Sequence, residues 1–93
     1  MITVRVPGPL RALTGGAADV RLDAETVRGA LAELERKHPG VATRVLDGSG
    51  AVHPFVRLFV GADDIGDLAG LDTVLADRDE LAIVPAIAGG AHA

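Results

Sequence analysis

A single stretch of this chain carries a clear helical period. Val27, Ala30, Leu31, Leu34 and His38 fall at i, i+3, i+4, i+7 and i+11 and form one apolar stripe. Asp23, Glu25 and Thr26 stand at its start, where acceptors and negative charge satisfy free N–H groups and the helix dipole. Arg36, Lys37 and His38 stand at its end, and Pro39-Gly40 stops it. Gly29 inside this helix costs about 1 kcal/mol relative to alanine, which predicts a close approach to whatever the helix packs on. In 93 residues, one such stripe must find its cover in the remainder of the chain, and that remainder alternates with a period of two.

Ile2, Val4 and Val6 alternate with Thr3 and Arg5, and Pro7-Gly8-Pro9 ends the run. Residues 10–13 form a short link, Thr14-Gly15-Gly16 a turn, and Val20 and Leu22 a second strand, so the N-terminal part reads as a hairpin with a long loop. Residues 41–46 have the pattern of a further helical turn, followed by the loop Asp47-Gly48-Ser49-Gly50. Residues 55–60 give the strongest strand signal, after which Gly61-Ala62-Asp63-Asp64 turns the chain and Ile65 is assigned to a very short strand. Leu68, Leu71, Val74 and Leu75 anchor an irregular segment, and the charged turn at 77–80 delivers the chain into a last strand, 81–84. The order strand, strand, helix, strand, short strand, strand predicts an α+β fold, with one main helix across a mixed sheet of four to five strands. A crossover from the second strand through the helix would make the second and third strands neighbours or near neighbours. The β-grasp, or ubiquitin-like roll, is the economical arrangement. It places the last strand centrally and releases the chain end as an arm, dividing the chain into a β-grasp domain at 1–86 and a tail at 87–93.

Composition removes several function classes. A net charge of −4 offers no basic footprint for nucleic acid or for an anionic membrane surface. Two phenylalanines, Phe55 and Phe59, are the whole aromatic inventory, too little for a base-stacking platform. There is no cysteine, hence no disulfide and no thiolate nucleophile. No leader pattern and no apolar run of membrane-spanning length is visible, so the expected location is cytoplasmic. His38, His53 and His92 are scattered without ligand spacing, and no metal or bound cofactor is expected. Asp63, Asp64 and Asp67 lack the order of a calcium loop and read as a solvated acidic turn. The chain is therefore not expected to be an enzyme by itself.

Two features are left. On strand 55–60, Val56, Leu58 and Val60 form one face, expected under the helix. Phe55, Arg57 and Phe59 form the other, where aromatics and arginine would make a partner-binding surface. The alternative is that residues 10–13 or 68–75 cover that face. The second feature is the ending Pro85-Ala86-Ile87-Ala88-Gly89-Gly90-Ala91-His92-Ala93, either a frayed terminus or a slim reactive arm.

The run Leu81-Ala82-Ile83-Val84-Pro85-Ala86-Ile87-Ala88-Gly89-Gly90 resembles the ubiquitin-like sulfur carrier proteins of the ThiS/MoaD group. Together with His53-Pro54-Phe55-Val56-Arg57-Leu58-Phe59-Val60 and the turn at 77–80, it is most similar to their CysO-type branch. The resemblance implies a β-grasp protein that is a substrate of partner enzymes. An E1-like enzyme would use ATP to adenylate the Gly90 carboxylate, and a sulfur source would convert it to a thiocarboxylate. Gly89 would let the arm thread a narrow channel, with Ile87 and Ala88 contacting the partner. The acceptor would be a cysteine synthase-like enzyme or another biosynthetic synthase. Ala91-His92-Ala93 departs from the family pattern, because it locks the Gly90 carboxylate in an amide. It is read either as a pro-segment cut between Gly90 and Ala91 by a JAMM-type zinc peptidase, the preferred reading, or as a vector-derived remnant. The competing functions are a ubiquitin-like modifier joined to lysines through Gly90, and an interaction or subunit domain without tail chemistry.

Overall fold

The computed structural model describes residues 1–85. The Gly89-Gly90 ending and its neighbours Ile87, Ala88 and Ala91 lie outside the described residues. Strand β1 (Ile2–Arg5) buries Ile2 and Val4 and turns Thr3 and Arg5 outward, as its alternation requires. Pro7 and Pro9 do not open an irregular link. They start a 3-10 helix, Gly8–Thr14, in which a proline near the N-terminus gives up only an N–H that would lack a helical partner. Gly15, in the left-handed region at φ 66°, closes it. Strand β2 (Asp19–Leu22) returns antiparallel to β1, with Val4 opposite Val20.

Helix α1 (Val27–Lys37) buries Val27, Ala30, Leu31 and Leu34 of the predicted stripe, while His38, its fifth position, falls at the C-cap and is half-buried. Thr26 is its N-cap and accepts a hydrogen bond from the Gly29 N–H at 3.0 Å. Gly29 does not serve the sheet as expected: a Cβ there would meet Thr26 Oγ1 at 3.3 Å, so the small residue makes room for the cap. Helix α2 (Val41–Val45) follows and buries Val41 and Val45. Strands β3 (Val56–Val60) and β4 (Asp63–Asp64) form a tight hairpin. Ile65 falls not on the short strand but at the start of a 3-10 turn, Ile65–Asp67, and is buried. A further 3-10 turn, Gly70–Asp72, leads to strand β5 (Glu80–Pro85).

The sheet order is β2-β1-β5-β3-β4. β5 lies in the middle, parallel to β1 and antiparallel to β3. The strands joined by α1 are therefore not neighbours: β1 and β5 stand between β2 and β3. The reason is in the last strand. Leu81 and Ile83 are buried, and inserting β5 between β1 and β3 gives its backbone partners on both edges. α1 and α2 lie over one face, and Ile2, Val4, Leu22, Leu31, Leu34, Leu58 and Leu81 make a single core beneath them. The mixed sheet wrapped on one main helix is the β-grasp fold.

Candidate functional site

The outer face of β5 and its neighbour β3 is the candidate partner-binding surface. Alternation along β5 sends Leu81 and Ile83 inward and Ala82 and Val84 outward. The register puts Phe59 opposite Ala82 and Arg57 opposite Val84. Phe59, Ala82 and Val84 thus form an apolar strip on the outer face of the central strands, with Val84 39% exposed. The segments that were candidates to cover this face are occupied elsewhere. Leu10 and Leu75 belong to the core on the helical side, and Leu71 packs against that core. Val74 bridges to Thr26 at the start of α1.

The strip has charged borders. Arg57 donates to Asp64 Oδ2 at 3.1 Å, and the Gly66 N–H donates to Asp64 Oδ1 at 2.9 Å. The Gly66 N–H first, and Arg57 after it, hold the Asp64 carboxyl below its ordinary range. On the other side Arg5 pairs with Asp19 at 3.0 Å and with Glu80 at 3.3 Å. An apolar centre with a charged rim is the general anatomy of a protein interface.

Phe55 stands apart from Arg57 and Phe59. It lies in the turn before β3, 55% exposed, with its ring centroid 5.4 Å from that of His53. The turn is made by the Val56 N–H donating to the His53 carbonyl at 3.0 Å, which takes Phe55 off the strand. Phe55 instead lines a groove of about 260 Å³ with Pro7, Leu10, Arg44, Ile83 and Pro85. These residues come from four separate segments, and no pattern along the chain announces the groove. Ala82 and Val84 were not singled out from the sequence, and the alternation of the last strand is the signal that would have found them. Among the described residues no His, Asp and Glu side chains group as metal ligands, and no helix is long and apolar enough to cross a membrane.

Comparison with known proteins places this geometry. The ThiS family profile matches residues 4–90. Sulfur carrier protein CysO of Mycobacterium tuberculosis is 37% identical over 91 residues, covering 96% of this chain and 98% of that protein. The crystal structure of the Amycolatopsis orientalis BexX/CysO complex contains a chain that superposes with a TM-score of 0.91 at 33% identity, covering 97% of this chain and all of that one. Small archaeal modifier protein 1 of Methanosarcina acetivorans superposes with a TM-score of 0.82 at 25% identity, covering 96% of this chain and 95% of that one. The β-grasp sheet with its C-terminal strand at the centre is common ground between carriers and modifiers, and the sequence match runs through the double glycine: the chain belongs to the ThiS family.

Proposed function

We propose that this chain is a sulfur carrier protein whose working group is the carboxylate of Gly90. The observation that carries the reading is the family match, which continues through the tail and stops at residue 90, the second glycine. The central position of β5 supports it, since a strand held on both edges is a rigid base for a reactive end. An E1-like partner would supply ATP. A Gly90 carboxylate oxygen attacks the α-phosphorus and pyrophosphate leaves, giving an acyl-adenylate. Sulfur from a sulfide donor then attacks the acyl carbon and AMP leaves, giving the thiocarboxylate. With no cysteine, the chain contributes a tethered acyl group and the partners contribute the chemistry. Gly89 and Gly90 lack Cβ atoms and so fit a channel that larger residues would block.

The Phe59, Ala82 and Val84 strip, bordered by Arg57, is the proposed dock for the activating partner, with Ile87 and Ala88 reading into its channel. A cysteine synthase-like enzyme or another biosynthetic synthase would take the sulfur. The existence of a BexX/CysO complex for a structural relative supports a partner that binds the folded carrier. Ala91-His92-Ala93 would be removed first, by a peptidase of the JAMM zinc type. The test is mass spectrometry of two proteins, one ending at Gly90 and one at Ala93, each incubated with an E1-like partner, ATP and sulfide. The shorter protein should gain the mass difference between sulfur and oxygen, and the longer should remain unchanged until cut. Failure of the shorter protein to form either adenylate or thiocarboxylate would sink the reading.

The likeness to small archaeal modifier protein 1 favours a second reading, in which activated Gly90 is transferred to lysine amines. Lysine-linked conjugates carrying the tail remnant, recovered from cells, would establish it.

A further inference from the structure

We propose that Lys37 is the acceptor at which a second copy of this chain is joined, through an amide between its Nζ and the Gly90 carboxyl of that copy. The inference deepens the reading in which activated Gly90 is transferred to lysine amines, and rests on it. Of the nine lysine and arginine residues, Lys37 alone is a lysine. An arginine guanidinium stays protonated and does not attack an acyl group, so the other cations offer no acceptor. The surroundings of Lys37 leave its amine available. It stands in the last turn of α1, exposed, and no ion pair among the described residues involves it. Glu33, one turn earlier, is taken by Arg36, whose Nη2 donates to Glu33 Oε2 at 3.3 Å. Among the described residues the Lys37 amine makes one hydrogen bond, a long one of 3.4 Å, donated to the Arg21 carbonyl of β2. The Met1 amine is placed differently. It is ion-paired with Asp77 and has Asp23 at 3.9 Å, so two carboxylates flank it.

The fold puts the Lys37 amine away from the proposed dock. β2 is an edge strand, and β1 stands between it and β5. The strip of Phe59, Ala82 and Val84 is on the outer face of β3 and β5, while α1 lies over the opposite face. A copy joined at Lys37 thus leaves the strip of the modified chain open to the activating partner, and the same step can repeat. The step is an aminolysis. The Lys37 amine attacks the acyl carbon of the Gly90 adenylate, which the E1-like partner forms from ATP. The C–N bond forms, the bond from the acyl carbon to the AMP oxygen breaks, AMP leaves, and the proton lost from nitrogen passes to water. Sulfide competes for the same acyl carbon, so joining is favoured where sulfide is scarce.

The test is incubation of the protein ending at Gly90 with an E1-like partner and ATP, without sulfide, beside its Lys37→Arg variant. The parent should give a two-chain product with the mass of two chains less one water. Trypsin should release from it a branched peptide in which residues 79–90 are attached to Lys37 of residues 37–44. Lys37→Arg should lose the product entirely. With sulfide added, the variant should form the thiocarboxylate as the parent does, which shows that it is folded and activated. A two-chain product that survives Lys37→Arg, or a branch on the Met1 amine, would overturn the proposal. Branches on lysines of the E1-like partner with none on Lys37 overturn it and leave the modifier reading standing. Thiocarboxylate with no lysine conjugate anywhere overturns both and leaves the carrier reading. Failure to form an adenylate at all removes the working end on which all three depend.

Discussion

Thr26 shows how one side chain sets the start of α1. Its backbone is extended while its hydroxyl accepts the Gly29 N–H, so one otherwise unpaired donor of the first turn is satisfied. Thr26→Ala should cost about 1 kcal/mol, read as a lowered urea midpoint with an unchanged slope. Asp64 shows how one carboxylate ties the β3–β4 hairpin to the turn beyond it, through the Gly66 N–H and Arg57. Its folded pKa is depressed, chiefly by that N–H. The stabilisation is therefore present above the ordinary carboxylate range and is lost as pH falls through the depressed folded value. Asp64→Asn should be less stable than the parent at neutral pH, and the gap should close in acid. A pH series of urea midpoints measures this, and a gap independent of pH would contradict it.

Between elements, the joint of α1 and α2 depends on Glu35. Its carboxylate accepts the Gly40 N–H at 3.0 Å and the Ala42 N–H at 3.0 Å, capping the second helix from the first. Gly40 makes the corner at φ 102°, where other residues are strained. Glu35→Ala should cost about 1.5–3 kcal/mol, since hydrogen bonds to a charged group are lost, and Glu35→Gln should recover part of it. Thermal unfolding of the two variants gives the comparison. This joint was not legible in the sequence, where Glu35 is one of several charges on a solvated helix face. The helix itself was legible because its stripe repeats for three turns and its cap and stop residues agree with it. Strands β1, β3 and β5 were legible from apolar alternation or apolar runs. The 3-10 helix at Gly8–Thr14 was not, because Pro7 and Pro9 read as breaks. β4 is two aspartates with no apolar period, and its place beyond β3 comes from the hairpin turn. The separation of β2 from β3 depends on where β5 inserts, a choice made by contacts distant in sequence.

At the scale of the molecule, the proposed carrier function would have recognition and chemistry in separate places. The outer strip of Phe59, Ala82 and Val84 is carried by the two strands at the middle of the sheet, while Gly89-Gly90 lies beyond the end of β5 and outside the described residues. Arg57 and Phe59 were legible as a candidate surface because they occupy the strand face opposite Leu58. Phe55 was misplaced because a turn bonded through His53 ends the strand one residue earlier. Under the carrier reading, damage to the strip and damage to the tail should fail differently. Val84→Arg adds a charge at an exposed position, so the thermal midpoint should stay near the parent value. Its affinity for an E1-like partner should fall about tenfold or more, the scale expected for disrupting an apolar interface centre. Phe59→Arg should do the same with some loss of stability, since Phe59 is half-buried. Gly89→Ala, in protein ending at Gly90, should bind the partner with near-parent affinity yet yield little thiocarboxylate, because the added Cβ acts in the channel rather than on the sheet. Titration calorimetry and mass spectrometry on the same samples separate the two effects. If Val84→Arg and Phe59→Arg bind and react as the parent does, the dock lies elsewhere on the molecule. If Gly89→Ala loses binding and chemistry together, the tail supplies the affinity as well.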